Sequence, residues 1–249
     1  MAAGHPAALT LVIHGAAGRV GRLLLDAVAS DPRFHCVTAL VRPGSPLLAS
    51  PVWPGSALHF SDHWPAQADV VVDFSLPPAL PGLFDEVRAR RCALVSGTTG
   101  LDANDRERLQ ALGGHVPVLW ASNFSLGALV LTELAAQARR WLPAGFEAAI
   151  VEAHHSAKRD APSGTALSLA HAVADADPTL PVPPTSSLRA GTIVGDHTVH
   201  FAGPAERLEL THRAQDRSVF ARGALDAAAW LAGRDPGLYP LRALLGAGL

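Results

Sequence analysis

One short segment of the chain gathers residue types that can move a proton and bind an anion. It comprises His154–Lys158, with the sequence HHSAK, and Ser163–Thr165, with the sequence SGT. Lys158 is the only lysine in a chain in which lysine and arginine together number 20. Arginine cannot release a proton near neutral pH, whereas the pKa of a lysine ammonium responds to burial and neighbouring charge. We therefore predict that Lys158 donates a proton; a solvated loop cation is the alternative.

The histidines and a predicted helix start complete a pocket for a small acidic substrate. His154 and His155 end a predicted strand, so their side chains point to opposite faces and are not expected to share a metal ion. Pro162–Thr165 opens a predicted helix, whose free N–H groups and hydroxyls favour a carboxylate. Beside a reduced nicotinamide, these groups indicate hydride addition to an electron-poor carbon, with Lys158 as acid and His154 as a proton relay or positioning group. Asp160 is expected to cap the helix or to orient the lysine.

The order of apolar segments predicts the elements that position this pocket. From Leu9 to Ala121, strand-like and helix-like runs alternate, which is typical of a parallel sheet covered on both faces. After a helix at Ser125–Trp141 the runs become mostly strand-like, and Ser218 to Leu249 is predicted to be helical. The sequence thus predicts an α/β fold with a Rossmann-type domain and a smaller α+β domain that has a mixed or antiparallel sheet. The predicted limits are 1–125 for dinucleotide binding, 126–216 for substrate binding and oligomerisation, and 217–249 for a helical segment returning to the first domain.

A glycine-rich turn follows the first predicted strand and opens the first predicted helix. It spans Gly15–Gly21, with the sequence GAAGRVG. Glycines let the backbone approach a pyrophosphate, which rests on the N–H groups of the helix start. The turn is therefore predicted to bind a dinucleotide; a tight turn that binds nothing is the alternative. Gly97–Gly100 and Ala121–Ser125 follow later strands and are predicted either to line the same groove or to cap helices.

The end of the second predicted strand bears on the choice of cofactor. Enzymes specific for NAD usually place an acidic residue there, against the ribose hydroxyls. Residues 35–43 contain no carboxylate, but they include Arg42. Because a guanidinium matches the geometry of a phosphate, Arg42, aided by Arg19, is predicted to meet a 2′-phosphate and to favour NADPH over NADH. A solvated loop arginine is the alternative.

Composition and charge exclude several classes of partner. The formal net charge of −2 and the pI near 6.6 give no basic surface for nucleic acid or for an anionic membrane. No stretch has the roughly 18 apolar residues of a membrane span. Met1–Pro6 lacks the features of a signal peptide. We therefore expect a cytoplasmic protein with a small-molecule partner.

These residues resemble one family, the 4-hydroxy-tetrahydrodipicolinate reductases, formerly called dihydrodipicolinate reductases, of the diaminopimelate route to lysine. The segment Glu152–Ala166 is similar to the family signature. The similarity extends over nearly the whole chain through the glycine turn, Val72–Ser75, Gly97–Gly100, Asn123–Ser125 and Arg189–Gly191. It implies reduction of a cyclic hydroxylated dicarboxylate to tetrahydrodipicolinate by NADPH or NADH, with loss of water.

The resemblance also implies a role for each candidate residue. The pyrophosphate would be held by Gly15, Ala16, Ala17, Gly18, Arg19 and Val20, and the NADPH phosphate by Arg42. The nicotinamide side would be lined by Gly97, Thr98, Thr99, Ala121, Ser122, Asn123 and Phe124. His154 would be a proton donor or acceptor and Lys158 the proton donor, while the substrate would be bound by His155, Gly164 and Thr165, together with Ser163 at the predicted helix start. No metal is expected, and members of the family are homotetramers joined through the sheets of their second domains.

Two other functions remain open from the sequence. One is a nicotinamide oxidoreductase that acts on another imino or amino dicarboxylate. The other is a sensor that binds a dinucleotide without catalysis. The presence of Lys158 and of a complete helix start argues against the sensor, and oxidation of NADPH in the presence of substrate would separate the two.

Overall fold

The computed structural model of the protein describes residues 8–246. Met1–Pro6, from which the lack of a signal peptide was predicted, and the last three residues of the predicted helical tail lie outside the described part. The chain forms two compact units. Unit 1 contains the described residues up to Phe124 and from Phe220 onward, and unit 2 contains Ser125–Val219.

Unit 1 is built on a seven-stranded sheet in which all paired strands are parallel. Its strands are β1 (Leu9–His14), β2 (Phe34–Leu40), β3 (Phe60–Ser61), β4 (Val70–Asp73), β5 (Ala93–Ser96), β6 (Pro117–Trp120) and β11 (Gly237–Tyr239). They are arranged in the order β11-β6-β5-β4-β1-β2-β3. The order reverses between β1 and β4, and sheets of this type bind ligands beyond the carboxyl ends of their strands at such a point.

The apolar segments of the central strands explain why this sheet is buried on both faces. Val70, Val71 and Val72 are all fully buried, as are Leu11–Ile13. β-branched residues fit a pleated backbone, and an unbroken apolar run is typical of a strand that is covered on both sides.

Four helices belong to unit 1 in whole or nearly in whole. They are α1 (Arg19–Val28), α2 (Leu80–Arg90), α3 (Ala103–Gly113) and α6 (Ser218–Leu231). Pro77–Ala79 forms a short 3₁₀ turn before α2. α3 begins with a capping box, in which Asp102 and Asp105 each bond the backbone N–H of the other.

The C-terminal segment differs from the predicted helix. α6 ends at Leu231, and the chain then forms β11, which pairs in parallel with β6. The ring of Tyr239 in this strand packs edge-on against Trp230, with 5.4 Å between centroids. A strand of three residues is too short to show a periodicity, so its structure is decided by the neighbouring strand and not by its own sequence.

Unit 2 contains a mixed four-stranded sheet. Its strands are β7 (Glu147–His154), β8 (Thr185–Arg189), β9 (Gly195–Ala202) and β10 (Arg207–Ala214), in the order β10-β9-β7-β8. β7 and β8 are parallel, and β9 is antiparallel to β7 and β10. The helices α4 (Leu126–Trp141) and α5 (Gly164–Ala176) pack together and form a core with this sheet. That core includes Leu131, Ile150, Leu169, Val199 and Phe201.

The predicted fold class is confirmed: the protein is α/β, with a Rossmann-type parallel sheet and a smaller mixed sheet. None of the helices in residues 8–246 has the length and apolar character needed to cross a membrane.

Candidate functional site

The glycine-rich turn connects β1 to α1 and leaves no space for side chains at two positions. Gly15 has a φ of 77°, and a Cβ there would lie 2.6 Å from the carbonyl oxygen of Phe74. A Cβ on Gly21 would lie 2.3 Å from the carbonyl oxygen of Gly15. Gly18 is the N-cap of α1 and supplies no side-chain acceptor to its first N–H groups. The start of α1 therefore presents N–H groups that no capping side chain occupies, as a phosphate site requires.

The predicted residues of this turn differ in their exposure. Ala17, Gly18 and Arg19 are exposed, and Val20 is half-buried. Ala16 is buried, and its N–H donates to the carbonyl of Leu40 over 3.0 Å. Ala16 therefore attaches the turn to the end of β2.

The other predicted cofactor residues follow the carboxyl ends of neighbouring strands in unit 1. Arg42 comes after β2 and is exposed. Gly97, Thr98 and Thr99 come after β5, and Ala121, Ser122, Asn123 and Phe124 come after β6. Because parallel strands end at one edge of the sheet, these turns and the glycine turn share that edge.

Some of the predicted cofactor residues are buried at this edge of the sheet, and others are exposed to solvent. The Thr98 side chain is buried, whereas Thr99 and Ser122 are exposed. Phe124 is buried, and its ring packs against that of Phe74 with 5.5 Å between centroids. A Cβ on Gly97 would lie 2.2 Å from the Phe74 ring, so glycine leaves room for that ring.

A buried carboxylate, that of Asp73, joins the end of β1 and the end of β5 to the segment that follows β4. Its oxygens accept hydrogen bonds from His14 Nδ1, Ser96 Oγ and Thr98 Oγ1, each over 2.8 Å, and from the Ser75 N–H over 3.1 Å. Burial alone would raise the pKa of Asp73, but its hydrogen bonds, beginning with that from His14, bring this pKa below its ordinary value. The carboxylate is thus ionised and fully hydrogen-bonded.

In unit 2 the strand register brings four polar side chains to one face of the small sheet. Glu152 and His154 are two residues apart on β7, so they share a face. His197 on β9 is the register partner of Glu152, and Arg189 on β8 is the partner of His154. This is the face on which Ile150 contributes to the core, so the polar group is buried at the end of an apolar layer.

Glu152 is the centre of this group and its side chain is fully buried. Its Oε2 accepts a 2.5 Å hydrogen bond from His154 Nδ1. Arg189 donates to both carboxylate oxygens, over 2.7 and 3.0 Å, and also to the carbonyl of Asp160 over 2.7 Å. Burial opposes ionisation, but the hydrogen bonds from Arg189, Ser187 and His154 lower the pKa of Glu152 to about 2.

His154 is accordingly a neutral imidazole of defined tautomer. Burial lowers the pKa of His154, and this effect exceeds the opposing effect of the Glu152 charge. A neutral ring carries one proton, and the Glu152 carboxylate can only accept, so that proton lies on Nδ1. Nε2 therefore carries a lone pair.

Lys158 lies in the loop that follows β7 and is paired with an acid. Its Nζ is 2.9 Å from Asp160 Oδ2, and its side chain is 22% exposed. The hydrogen bond from Lys158 lowers the pKa of Asp160. Of the two roles expected for Asp160, the structure shows contact with the lysine. The cap of α5 is Ser163 and not Asp160. His155 is half-buried, and its carbonyl accepts from the Lys158 N–H over 3.0 Å.

That cap is Ser163, whose Oγ accepts from the Ala166 N–H over 3.2 Å. Gly164 and Thr165 are the first two residues of α5; Gly164 is exposed and Thr165 half-buried. The first N–H groups of a helix have no carbonyl partner within it, so this start is suited to a carboxylate.

The structure thus links the predicted residues His154, Lys158 and Ser163 through three residues that received no role from the sequence. Glu152 and Arg189 connect His154 to the loop of Lys158, and His197 lies between His154 and Ser163. Glu152 could have been found, because it precedes His154 by two positions on a predicted strand. Among residues 8–246, no group of three or more His, Cys, Asp or Glu side chains is arranged to hold a metal ion.

Comparison with known proteins decides the family. Residues 9–124 match the model of the dihydrodipicolinate reductase N-terminus, and residues 127–245 match that of the C-terminus. The chain belongs to the dihydrodipicolinate reductase family. The resemblance predicted from the sequence is confirmed.

Relatives within the dihydrodipicolinate reductase family match over nearly their whole length. The 4-hydroxy-tetrahydrodipicolinate reductase of Stenotrophomonas maltophilia is 46% identical over 237 residues, covering 95% of this chain and 98% of that protein. The protein of the same name from Xanthomonas campestris pv. campestris is 47% identical over 236 residues, covering 94% and 97%. A dipicolinate-bound dihydrodipicolinate reductase from Paenisporosarcina sp. TG-14 shares the fold, with a TM-score of 0.80 at 21% identity over 94% of this chain and 97% of that one. Membership in this family makes the protein an oxidoreductase that uses a nicotinamide dinucleotide.

Proposed function

We propose that the protein reduces 4-hydroxy-tetrahydrodipicolinate to tetrahydrodipicolinate, with loss of water, in the diaminopimelate route to lysine. The observation that carries this proposal is one contiguous group of side chains in unit 2, which combines a paired lysine, a neutral histidine and a capped helix start. A cation beside an anion-binding helix start suits a small dicarboxylate. We also propose that this site binds planar dicarboxylates such as the dipicolinate bound by the Paenisporosarcina protein.

The proton donor in this proposal is Lys158. Reduction of the substrate leaves negative charge that must take up a proton, and the neutral His154 offers only a lone pair at Nε2. Lys158 carries protons on a cation of fixed position, since Asp160 holds its Nζ at 2.9 Å. His154 then orients the substrate or a water by accepting a hydrogen bond.

The bare glycine turn fits a dinucleotide, because a Cβ at Gly15 or Gly21 would collide with backbone. Ala17, Gly18 and Arg19 would hold the pyrophosphate, and the turns after β5 and β6 would lie along the nicotinamide half. The bound dinucleotide supplies the hydride. What the chain itself contributes is position, since the sheet edge is fixed by the Asp73 hydrogen bonds.

A coupled assay tests the function as a whole. The upstream synthase generates the substrate, and loss of NADPH absorbance is followed after this protein is added. We expect oxidation that depends on the synthase. NADPH binding without oxidation would favour the sensor, and oxidation only with a different imino or amino dicarboxylate would favour the other oxidoreductase.

We propose that NADPH is the preferred cofactor and that Arg42 is the reason. Arg42 is exposed after β2 and no carboxylate lies nearby in the strand sequence. Hydrogen bonds to charged groups contribute about 1.5–3 kcal/mol, so Arg42→Ala should lower kcat/KM for NADPH by roughly 10- to 100-fold and leave the value for NADH unchanged. Arg106→Ala, which removes an exposed arginine from α3, is the control and should change neither value. Wild-type kinetics that favour NADH would contradict the proposal.

We also propose a homotetramer joined through the small sheet. Val151 and Leu188 alternate with the core-facing residues of β7 and β8, and they are 42% and 54% exposed. Apolar residues on an open sheet face favour association with another sheet. Sedimentation of the wild type should give four chains, and Val151→Asp should yield smaller species; a monomeric wild type would contradict this assembly.

A further inference from the structure

His197 is the most buried imidazole of the group in unit 2, with 3% of its surface exposed. Its ring packs edge-on against that of His154, with centroids 5.2 Å apart. Its Nε2 is 3.2 Å from Ser163 Oγ. Its Nδ1 is buried and has no hydrogen-bond partner among residues 8–246. His197 therefore contacts both His154 and the residue that caps α5.

The unequal surroundings of the two nitrogens indicate where the ring carries its proton. Burial lowers the pKa of His197 to about 4, so the ring is neutral near neutral pH and has a single N–H. A buried N–H without an acceptor is rare in proteins, because it loses its hydrogen bond to water and gains nothing. The proton therefore lies on Nε2, which has an acceptor, and the lone pair lies on Nδ1.

This tautomer determines what the Ser163 hydroxyl can do. Ser163 Oγ already accepts the Ala166 N–H over 3.2 Å. If His197 Nε2 also donates to it, both lone pairs of the oxygen are occupied, and the hydroxyl proton has no acceptor in this pair of contacts. The serine then has only a proton to offer.

We propose that His197 is a positioning residue that turns the Ser163 hydroxyl into a dedicated hydrogen-bond donor for a carboxylate at the start of α5. This inference rests on the proposed function, since it assigns that carboxylate to the dicarboxylate substrate. A donor that cannot reverse its role favours an acceptor such as a carboxylate over a neutral group that must itself donate.

A similar arrangement elsewhere in unit 2 provides a matched control. Ser125 caps α4, its Oγ accepts from the Ala128 N–H over 3.2 Å, and His212 Nε2 lies 3.2 Å from that oxygen. His212 Nδ1 is also buried without a hydrogen-bond partner in the described part of the chain. The helix that Ser125 opens is not the one assigned to the substrate, so His212→Phe removes the same contact at a different helix.

The test measures dipicolinate binding by calorimetry with the full chain. His197→Phe keeps a ring against His154 but removes the donor, and it should weaken the Kd for dipicolinate by roughly 10-fold or more. His197→Gln, which restores an N–H, should recover most of the affinity, and His212→Phe should leave the Kd unchanged. Ser163→Gly removes the hydroxyl at small cost to the cap, and the double variant His197→Phe/Ser163→Gly should bind no more weakly than Ser163→Gly alone.

Two results would overturn the inference: an unchanged Kd in His197→Phe, or effects of the two substitutions that multiply in the double variant. Nitrogen NMR of the wild-type imidazoles gives an answer even if a variant fails to fold, since it must show His197 protonated at Nε2. A wild-type protein that binds no dipicolinate would contradict the proposed function and the inference together. Dipicolinate binding that is equal in the wild type and in His197→Phe would contradict the inference alone.

Discussion

Lys158→Arg is expected to lower kcat by about 10²- to 10⁴-fold while the affinity for dipicolinate changes little. In the wild type the Lys158 ammonium lies 2.9 Å from Asp160. The substitution keeps a cation at this position, so attraction for an anionic substrate persists. A guanidinium does not release a proton near neutral pH, however, so the new cation cannot act as an acid. Lys158→Arg should therefore lower turnover but not the affinity for dipicolinate, because it removes the acid and keeps the charge.

Single-turnover oxidation of NADPH and calorimetry with dipicolinate measure the two quantities for Lys158→Arg. Arg159→Lys is the matched control, because it makes the reverse exchange at the next, exposed position. That control should behave as the wild type does. Near-normal turnover in Lys158→Arg would remove the proposed acid from the mechanism.

Glu152→Gln is expected to have the second largest effect, with kcat lowered by about 10²-fold. The side-chain oxygen of glutamine should face Arg189, which only donates, and its amide N–H would then face His154 Nδ1. His154 would have to carry its proton on Nε2 and lose the lone pair there. The Arg189 guanidinium also loses its bonds to the charged carboxylate at position 152. The free energy of unfolding should therefore fall by about 2 kcal/mol.

The pH dependence of stability provides a second measurement on Glu152→Gln. The pKa of Glu152 is about 2 in the folded protein, against 4.5 for a free glutamate. The carboxylate therefore contributes stability that is complete above about pH 4.5 and is lost as the pH falls toward 2. The variant should lack this part of the acid-induced loss. Glu147→Gln, at the exposed start of the same strand, is the control and should retain it; an identical acid profile in Glu152→Gln and the wild type would contradict the assignment.

Much of the fold was predictable because the longer elements carry periodic or unbroken apolar patterns. The strands around Val70–Val72 and the long helix ending at Trp141 are of this kind. β3 and β8 were not predicted from the sequence, and β11 was taken for helix. β3 has two residues, and β8 has the polar sequence TSSLR, so in both cases pairing with a neighbouring strand decides the structure.

The site was predictable where its residues are close in sequence and not where they meet across the sheet. Lys158 and Ser163 lie in one short segment, and their chemistry is evident from residue type and spacing. His197 and Arg189 lie far along the chain and reach the site through the register of β7 with β9 and β8. A single sequence does not specify that register, because several alignments of short strands satisfy the same alternation.

The carboxylate of Asp73 has a consequence for the thermodynamics of coenzyme binding. It ties together residues from the ends of β1, β4 and β5 before any nucleotide arrives. The entropy of ordering these strand ends is therefore lost when the chain folds and not on association. The part of the sheet edge held by Asp73 is in this sense preformed for a ligand.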